Sequence, residues 1–211
     1  MTNSKGISLV LGGGGARGLA HVGVLKALEE LNIPVLSICG CSMGGLVASM
    51  YAIGMSVKEI ESVSIKYSST REMVKLVDVT PHRKGIIIGQ KLRGFLSKFI
   101  DPDIMIEDTT IPLYMNAVDL NTGSEVVLHH GNLLDAILST TAVPGVFSPF
   151  TWGESTLADG GVVDNLPIWI LKENSEYPIV AVDVHQTFTK LDNSRSLQNV
   201  YPRYVFPEFI R

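Results

Sequence analysis

Residues 33–51 read IPVLSICGCSMGGLVASMY, and this stretch decides the fold. The apolar run over residues 33–39 is typical of a buried strand, and residues 43–53 have the pattern of a helix. Between them lies Gly40-Cys41-Ser42-Met43-Gly44, a G-x-S-x-G on a strand-to-helix turn. Such a turn pushes the serine hydroxyl out at the sheet edge, and the glycines let a substrate carbonyl approach the backbone. The pattern predicts that Ser42 is a nucleophile for acyl transfer.

The neighbouring segments extend this strand–helix order in both directions. We expect strands over residues 7–11 and 35–39 and helices over residues 16–31 and 43–53, with Gly54 as the C-cap of the second helix. The strands are continuously apolar, which is typical of a buried parallel sheet with helices on both faces. The fold class is therefore α/β.

The rest of the chain adds shorter elements. We expect helices over residues 57–67, 90–100 and 133–139, a strand over 179–184, and strands over 112–120 and 124–129 joined by the hairpin turn Asn121-Thr122-Gly123. An apolar stripe lies within the second of these helices, and we interpret it as core packing rather than as a lid: Leu92, Phe95, Leu96, Phe99 and Ile100. The prediction is one domain over residues 1–211, with a core at about 7–184 and a tail, 185–211. We expect the tail to cover the core in extended form, and docking on a lipid surface or a partner is an open alternative.

Composition excludes several classes of protein. The 211 residues are 45% hydrophobic with a net charge of −4, which is enough for a sizeable core and gives no indication of a nucleic-acid partner. Cys39 and Cys41 are the two cysteines, so we expect no disulfide framework and a reducing, cytoplasmic location. The apolar run near the N-terminus is too short for a signal peptide. Residues 31–57 carry no charge, but they divide into strand, turn and helix rather than one membrane span.

A glycine-rich loop, Gly12-Gly13-Gly14-Gly15-Ala16-Arg17-Gly18, follows the first strand. It contains G-x-G-x-x-G, which also occurs in dinucleotide-binding proteins. That function requires an acidic residue about twenty positions further on, at the end of the second strand. Gly40-Cys41-Ser42 occupies that place, and no G-K-[ST] follows the loop, so nucleotide binding is disfavoured.

The same loop is suited to a tetrahedral oxyanion. Glycines before a helix leave backbone N–H groups unpaired and sterically open. In a parallel sheet this loop and Ser42 would lie at the same carboxyl edge. Arg17 would add a positive charge for an acyl oxyanion or a lipid phosphate, although pairing with a local carboxylate is an open alternative.

A serine nucleophile needs a group that accepts its proton. The five histidines stand in no turn motif that would present them: His21, His82, His129, His130 and His185. His21 lies within the first helix, where we expect it to be packed or hydrogen-bonded. Asp159, in contrast, ends an apolar segment and precedes Gly160 and Gly161, so it could be held rigidly as a base. The D-G-G pattern alone leaves an ordinary turn aspartate open.

Taken together, the glycine loop, the G-x-S-x-G and Asp159-Gly160-Gly161 resemble the patatin-like phospholipase family. Residues 139–149 and 161–167 also resemble that family's segments on either side of the D-G-G. The resemblance implies a three-layer α/β/α fold with a mainly parallel central sheet. It also implies a Ser–Asp dyad, with Ser42 as nucleophile and Asp159 as base. The glycines of the motifs are Gly18, Gly40, Gly44, Gly160 and Gly161.

The resemblance further implies an oxyanion hole and a substrate class. Its donors would be the glycine loop, Gly13, Gly14 and Gly15, together with the N–H of Met43. The expected reaction is hydrolysis of fatty acyl esters of phospholipids, lysophospholipids or related lipids, without metal or cofactor and with contact to a membrane surface. Cys41 departs from the family pattern, where threonine, alanine or glycine is more familiar, and this bears on pocket shape.

Two other functions remain open from the sequence. One is a non-catalytic lipid- or protein-binding module on the same fold, and the other is a serine esterase whose base is a histidine. Mutation of Asp159 and labelling of Ser42 distinguish them from the Ser–Asp enzyme.

Overall fold

A central sheet with helices on both faces organises the molecule. The computed structural model describes residues 6–67 and 87–184, so our expectations for residues 68–86 and for the tail, 185–211, lie outside the described residues. Within the described residues the sheet has seven strands: β1 (Ile7–Leu11), β2 (Val35–Gly40), β3 (Leu113–Asp119), β4 (Glu125–Leu128), β5 (Phe150–Trp152), β6 (Ser155–Asp159) and β7 (Ile179–Val182).

The sheet is more mixed than the sequence predicts. Hydrogen-bonded neighbours follow the path β5-β6-β3-β2-β1-β7, and β4 also pairs with β3. Pairing is parallel from β7 through β1 and β2 to β3. Beyond β3 it is antiparallel, in the pairs β3–β4, β3–β6 and β5–β6. The prediction of a mainly parallel sheet therefore holds for one half only, because β4 follows β3 and β6 follows β5 in antiparallel hairpins, and β6 also runs antiparallel to β3.

The helices largely follow the sequence prediction. They are α1 (His21–Glu30), α2 (Met43–Ala52), α3 (Val57–Tyr67), α4 (Gln90–Leu96), α5 (Leu133–Thr140) and α6 (Ile168–Asn174), with short 3₁₀ turns at Gly15–Ala20, Ile106–Asp108 and Gly160–Val162. The helix expected from residue 16 starts as a 3₁₀ turn, and α-helical geometry begins at His21. Helix α4 ends at Leu96 rather than at residue 100. Helix α6 and strands β5 and β6 were not predicted as such.

Alternate residues of the inner strands face two separate apolar layers. Leu9 and Ile38 belong to a large cluster with helices α1 to α5, whereas Val10 and Cys39 pack with Ile170 and Leu171 of α6. This explains why β1 and β2 are continuously apolar. The α/β class with helices on both faces of the sheet is confirmed. In the apolar stripe, Phe95 and Leu96 of α4 and the following Ile100 are buried in the core, whereas Phe99 is exposed.

Strand β3 brings two distant parts of the chain together along one of its edges. Gly40, at the end of β2, pairs with Met115, and Asp159, at the end of β6, pairs with Ala117. Strand β4 pairs with residues 115–118 and so takes the opposite edge of β3. The ends of β2 and β6 therefore meet two residues apart, roughly 7 Å along the strand.

None of the helices in residues 6–67 and 87–184 has the length and apolar character needed to cross a bilayer.

Candidate active site

Ser42 occupies a strained turn between β2 and α2. Its backbone has φ 52° and ψ −122°, and among the non-glycine residues that the structure describes, Asn32 alone shares a positive φ. Such a conformation costs about 1–3 kcal/mol and persists when the surrounding structure holds it in place. The Ser42 N–H donates to Thr140 Oγ1 at 2.9 Å, which ties the turn to the end of α5.

The two motif glycines beside Ser42 are required by close backbone packing. A Cβ at Gly40 would lie 2.5 Å from backbone atoms of Gly44 and Gly45. A Cβ at Gly44 would collide with the carbonyl oxygen of Leu11 at the end of β1. The serine turn is thus pressed directly against the start of the glycine loop.

The Ser42 hydroxyl is in direct contact with Asp159. Ser42 Oγ donates to Asp159 Oδ2 at 2.6 Å, and both residues are nearly buried, with 9% and 5% of their surface exposed. The other carboxylate oxygen, Oδ1, accepts the Gly161 N–H at 2.8 Å and faces Cys41 Sγ at 3.8 Å. The structure therefore brings together Ser42 and Asp159, the two side chains singled out in the sequence, which lie 117 positions apart in the chain.

Burial changes the acid–base properties of this carboxylate. Desolvation raises the pKa of Asp159 above its ordinary value, and the hydrogen bonds from Ser42, Gly161 and Cys41 oppose that rise. A carboxylate with a raised pKa is a stronger proton acceptor than one in water. Burial also raises the pKa of Cys41 and Cys39, so both thiols stay protonated and do not compete as bases.

The predicted oxyanion donors divide into two groups. Among the described residues, no hydrogen bond uses the N–H of Gly14, Gly15 or Met43, and all three lie at helix starts, where N–H groups are free. Gly13 is different, because its N–H donates to the Asn165 carbonyl at 3.0 Å. We therefore correct Gly13 from an oxyanion donor to a residue that anchors the loop.

The remaining predicted positions surround this centre. Arg17 is exposed on the 3₁₀ turn Gly15–Ala20, which includes the second half of the glycine loop. Gly18 lies under Met43, since a Cβ there would be 2.5 Å from Met43 Cγ. Gly160 packs against Asn116, and Gly161 donates its N–H to the carboxylate.

No histidine is bonded to Ser42 or Asp159 among the residues that the structure describes. His21 is fully buried, and its Nε2–H donates to the Gly12 carbonyl at 2.7 Å, as expected for a packed residue. Burial lowers the pKa of His21. His129 stacks with Tyr114, and His130 lies 3.9 Å from a Glu107 oxygen. His82 and His185 are outside the described residues.

Three polar residues of the site were not predicted individually. Thr140 holds the backbone of Ser42, Asn165 bonds to Gly13, and the Asn116 amide donates to the Asp164 carbonyl at 2.8 Å. Two of them had a partial signal in the sequence, because Thr140 and Asn165 fall in the two segments that resemble the patatin-like family. Asn116 lies within a buried strand and had no such signal.

The strand–turn–helix around Ser42 has the arrangement of a nucleophile elbow on an α/β fold. Residues 9–172 match the family model described as patatin-like phospholipase, and the chain belongs to this family. It is 35% identical over 181 residues to lysophospholipase NTE1 of Cryptococcus neoformans, which covers 84% of this chain and 11% of that protein. It is also 35% identical over 167 residues to an uncharacterized NTE family protein of Mycobacterium tuberculosis, covering 79% of this chain and 46% of the relative.

A solved structure has the same fold. VipD from Legionella pneumophila superposes with a TM-score of 0.62 at 16% identity, over 77% of this chain and 47% of that one. At this identity the likeness supports the fold alone. The chain thus spans from about a tenth to about half the length of the proteins it matches.

Replacement of Asp159 by asparagine should stabilise the protein at neutral pH. Because the folded state raises the pKa of Asp159, this carboxyl group stabilises the folded protein below its ordinary pKa of 3.8. That stabilisation is lost as the pH rises through the native pKa. Asparagine does not ionise and keeps a carbonyl oxygen for the Gly161 N–H. We therefore expect the stability of D159N relative to the wild type, measured by urea unfolding, to increase from pH 4 to pH 8. A difference that is constant over this range, or that decreases, would contradict the raised pKa.

Proposed function

We propose that the chain is a serine acyl hydrolase that cleaves fatty acyl esters of phospholipids, lysophospholipids or related lipids. The observation that carries the proposal is the 2.6 Å hydrogen bond from Ser42 Oγ to Asp159 Oδ2 in a buried site. A hydroxyl that already donates to a carboxylate is arranged for transfer of its proton. Family membership supports the same reaction class.

In the first half of the reaction, Asp159 takes the Ser42 proton as Oγ bonds to the ester carbonyl carbon. The carbonyl oxygen becomes an oxyanion, which the free N–H groups of Gly14, Gly15 and Met43 stabilise; each such donor contributes roughly 3 kcal/mol. The C–O bond to the alcohol then breaks, and protonated Asp159 returns its proton to the leaving alkoxide. The products are the alcohol and an acyl group on Ser42.

In the second half, water replaces the alcohol. Asp159 accepts a proton from a water molecule as the water oxygen attacks the acyl carbon, and the same donors stabilise the second oxyanion. The bond to Ser42 Oγ breaks, Asp159 returns the proton to Oγ, and the fatty acid leaves. One carboxylate serves both halves, so the proposal needs no histidine.

The surface beside the dyad favours a lipid substrate. Four valines there are strongly exposed, and we call them the apolar rim: Val143, Val146, Val162 and Val163. Val143 follows Ala142, whose carbonyl accepts the Asp159 N–H at 2.9 Å, and Val162 follows Gly161. Exposed apolar groups at the mouth of a site are suited to acyl chains or to a lipid surface. The NTE1 relative is named a lysophospholipase, which agrees with this substrate class.

Arg17 is proposed to bind the charged part of the substrate. It is exposed one helical turn from the free amides, where a guanidinium suits a phosphate oxygen. We further propose that the protein works in the cytoplasm, at the membrane surface. Both cysteines are free thiols, which agrees with a reducing compartment.

Ser42→Ala and Asp159→Asn should each lower kcat for a short acyl ester by at least about 10³-fold while the protein stays folded. Ser49→Ala is the matched control, because Ser49 is a buried serine of α2, the helix that follows Ser42, and its hydroxyl donates to the Gly45 carbonyl rather than to Asp159. A fluorophosphonate should label the wild type on Ser42. Near-normal activity of D159N together with loss in a histidine variant would indicate a histidine-dependent esterase. Absence of both turnover and labelling would indicate a binding module.

The apolar rim should matter for aggregated lipid and not for a soluble ester. Val162 is 58% exposed, and removing the apolar contact of one such side chain costs about 1.5 kcal/mol, or about tenfold in affinity. We expect the double variant V162N/V163N to lower kcat/KM on lysophospholipid micelles by about tenfold or more, with kcat on a short ester unchanged. Leu31→Asn is the control, because Leu31 is 68% exposed at the far end of α1. Equal losses on both substrates would contradict a role in lipid contact.

A further inference from the structure

Asn165 joins the glycine loop to the segment that follows Asp159. The Gly13 N–H donates to the Asn165 carbonyl at 3.0 Å, and Asn165 Nδ2 donates to the Gly13 carbonyl, also at 3.0 Å. These two hydrogen bonds connect residues 152 positions apart. Both polar groups of the Gly13 backbone are thus bound by a single residue.

The Asn165 side chain is also wedged between the two loops. A Cβ at Gly13 would collide with Asn165 Oδ1, and a Cβ at Gly161 would lie 3.0 Å from the same oxygen. Gly161 donates its N–H to Asp159 Oδ1, so the amide of Asn165 fills the space between the loop and the carboxylate's support. The space fits this side chain only because both facing residues are glycines.

Asn165 is itself fixed to the sheet. The preceding residue, Asp164, donates its N–H to the Gly160 carbonyl at 2.9 Å, and its own carbonyl accepts from Asn116 Nδ2. Asn116 is fully buried in β3, between the residues that pair with the ends of β2 and β6. The connection therefore runs from the centre of the sheet through Asn165 to the glycine loop.

We propose that Asn165 is a positioning residue that holds the free amides of Gly14 and Gly15 at a fixed place relative to Ser42 and Asp159. Gly12 is also held, because its N–H donates to Val182 and its carbonyl accepts from His21. The loop is thus anchored up to Gly13, and no residue that the structure describes accepts a hydrogen bond from the next two amides. This role in catalysis rests on the proposed function, whereas the effect of Asn165 on the loop does not.

An amide is needed because it donates to a carbonyl without carrying charge. Aspartate has the same shape, but it would turn a carboxylate oxygen toward the Gly13 carbonyl and repel it. Alanine keeps the backbone bond to Gly13 and leaves its carbonyl without the side-chain donor. The two replacements therefore differ in severity in a direction that the geometry fixes.

The test compares N165D and N165A with the wild type by ester hydrolysis and by hydrogen–deuterium exchange. We expect N165D to lower kcat by about 10²-fold and N165A by at least about tenfold, with KM changed less than about threefold, because misplaced donors weaken oxyanion stabilisation. Amide exchange in residues 12–20 should become at least about tenfold faster, with residues 57–67 unchanged. Asn174→Asp is the control, since Asn174 Nδ2 makes a similar bond, to the Ile170 carbonyl within α6.

The two measurements separate this inference from the proposed function. Wild-type exchange in residues 12–20 of both variants would overturn the proposal, and so would faster exchange with unchanged kcat. If the wild type hydrolyses no ester, the proposed function fails, and exchange alone decides whether Asn165 holds the loop. If N165D does not fold, N165A carries both measurements.

Discussion

The candidate site depends on the register of β3 with two other strands. Because β2 and β6 share one edge of β3, the carboxyl end of one strand faces the carboxyl end of the other. Ser42 follows the end of β2 by two residues, and Asp159 is the last residue of β6. A shift of β6 by one residue would turn Asp159 to the opposite face of the sheet. The buried residues Met115, Asn116 and Ala117 fix this register in the middle of the core.

Several costly features are concentrated at this point. Ser42 has a strained backbone, a carboxylate is buried, and the amides of Gly14, Gly15 and Met43 have no hydrogen-bond partner among the described residues. Each lowers stability, and each is what acyl transfer requires: a hydroxyl held against its base, a basic acceptor and fixed donors. The surrounding sheet and helices offset these costs, since β1, β2 and α5 are almost entirely buried.

The sequence predicted the parts of the fold that have local patterns. Strand β1, helices α2 and α3 and the β3–β4 hairpin follow from apolar periodicity and from Gly54 and Gly123, both of which have positive φ. Strand β5 and helix α6 have only three and seven residues, which is too short for a clear period. The antiparallel pairs β3–β6 and β5–β6 were not predicted, because the pairing of these strands depends on tertiary contacts.

The two side chains that meet, Ser42 and Asp159, could be singled out from the sequence, but their surroundings could not. Ser42 and Asp159 stand in glycine-flanked turns, which local sequence reveals. The fixed role of Gly13 depends on Asn165, far along the chain, so no local pattern distinguishes its bound amide from the free amides of Gly14 and Gly15.

The most direct measurement is identification of the acylated residue during turnover. Enzyme mixed with a slowly hydrolysed long-chain ester is quenched in acid within the first turnovers, and its peptides are examined by mass spectrometry. We predict that the fatty acyl group is found on Ser42 in the wild type. In D159N, acylated Ser42 should form much more slowly than in the wild type. Hydrolysis of the ester with the acyl group on another residue, or with no acylated peptide at any time, would contradict the account.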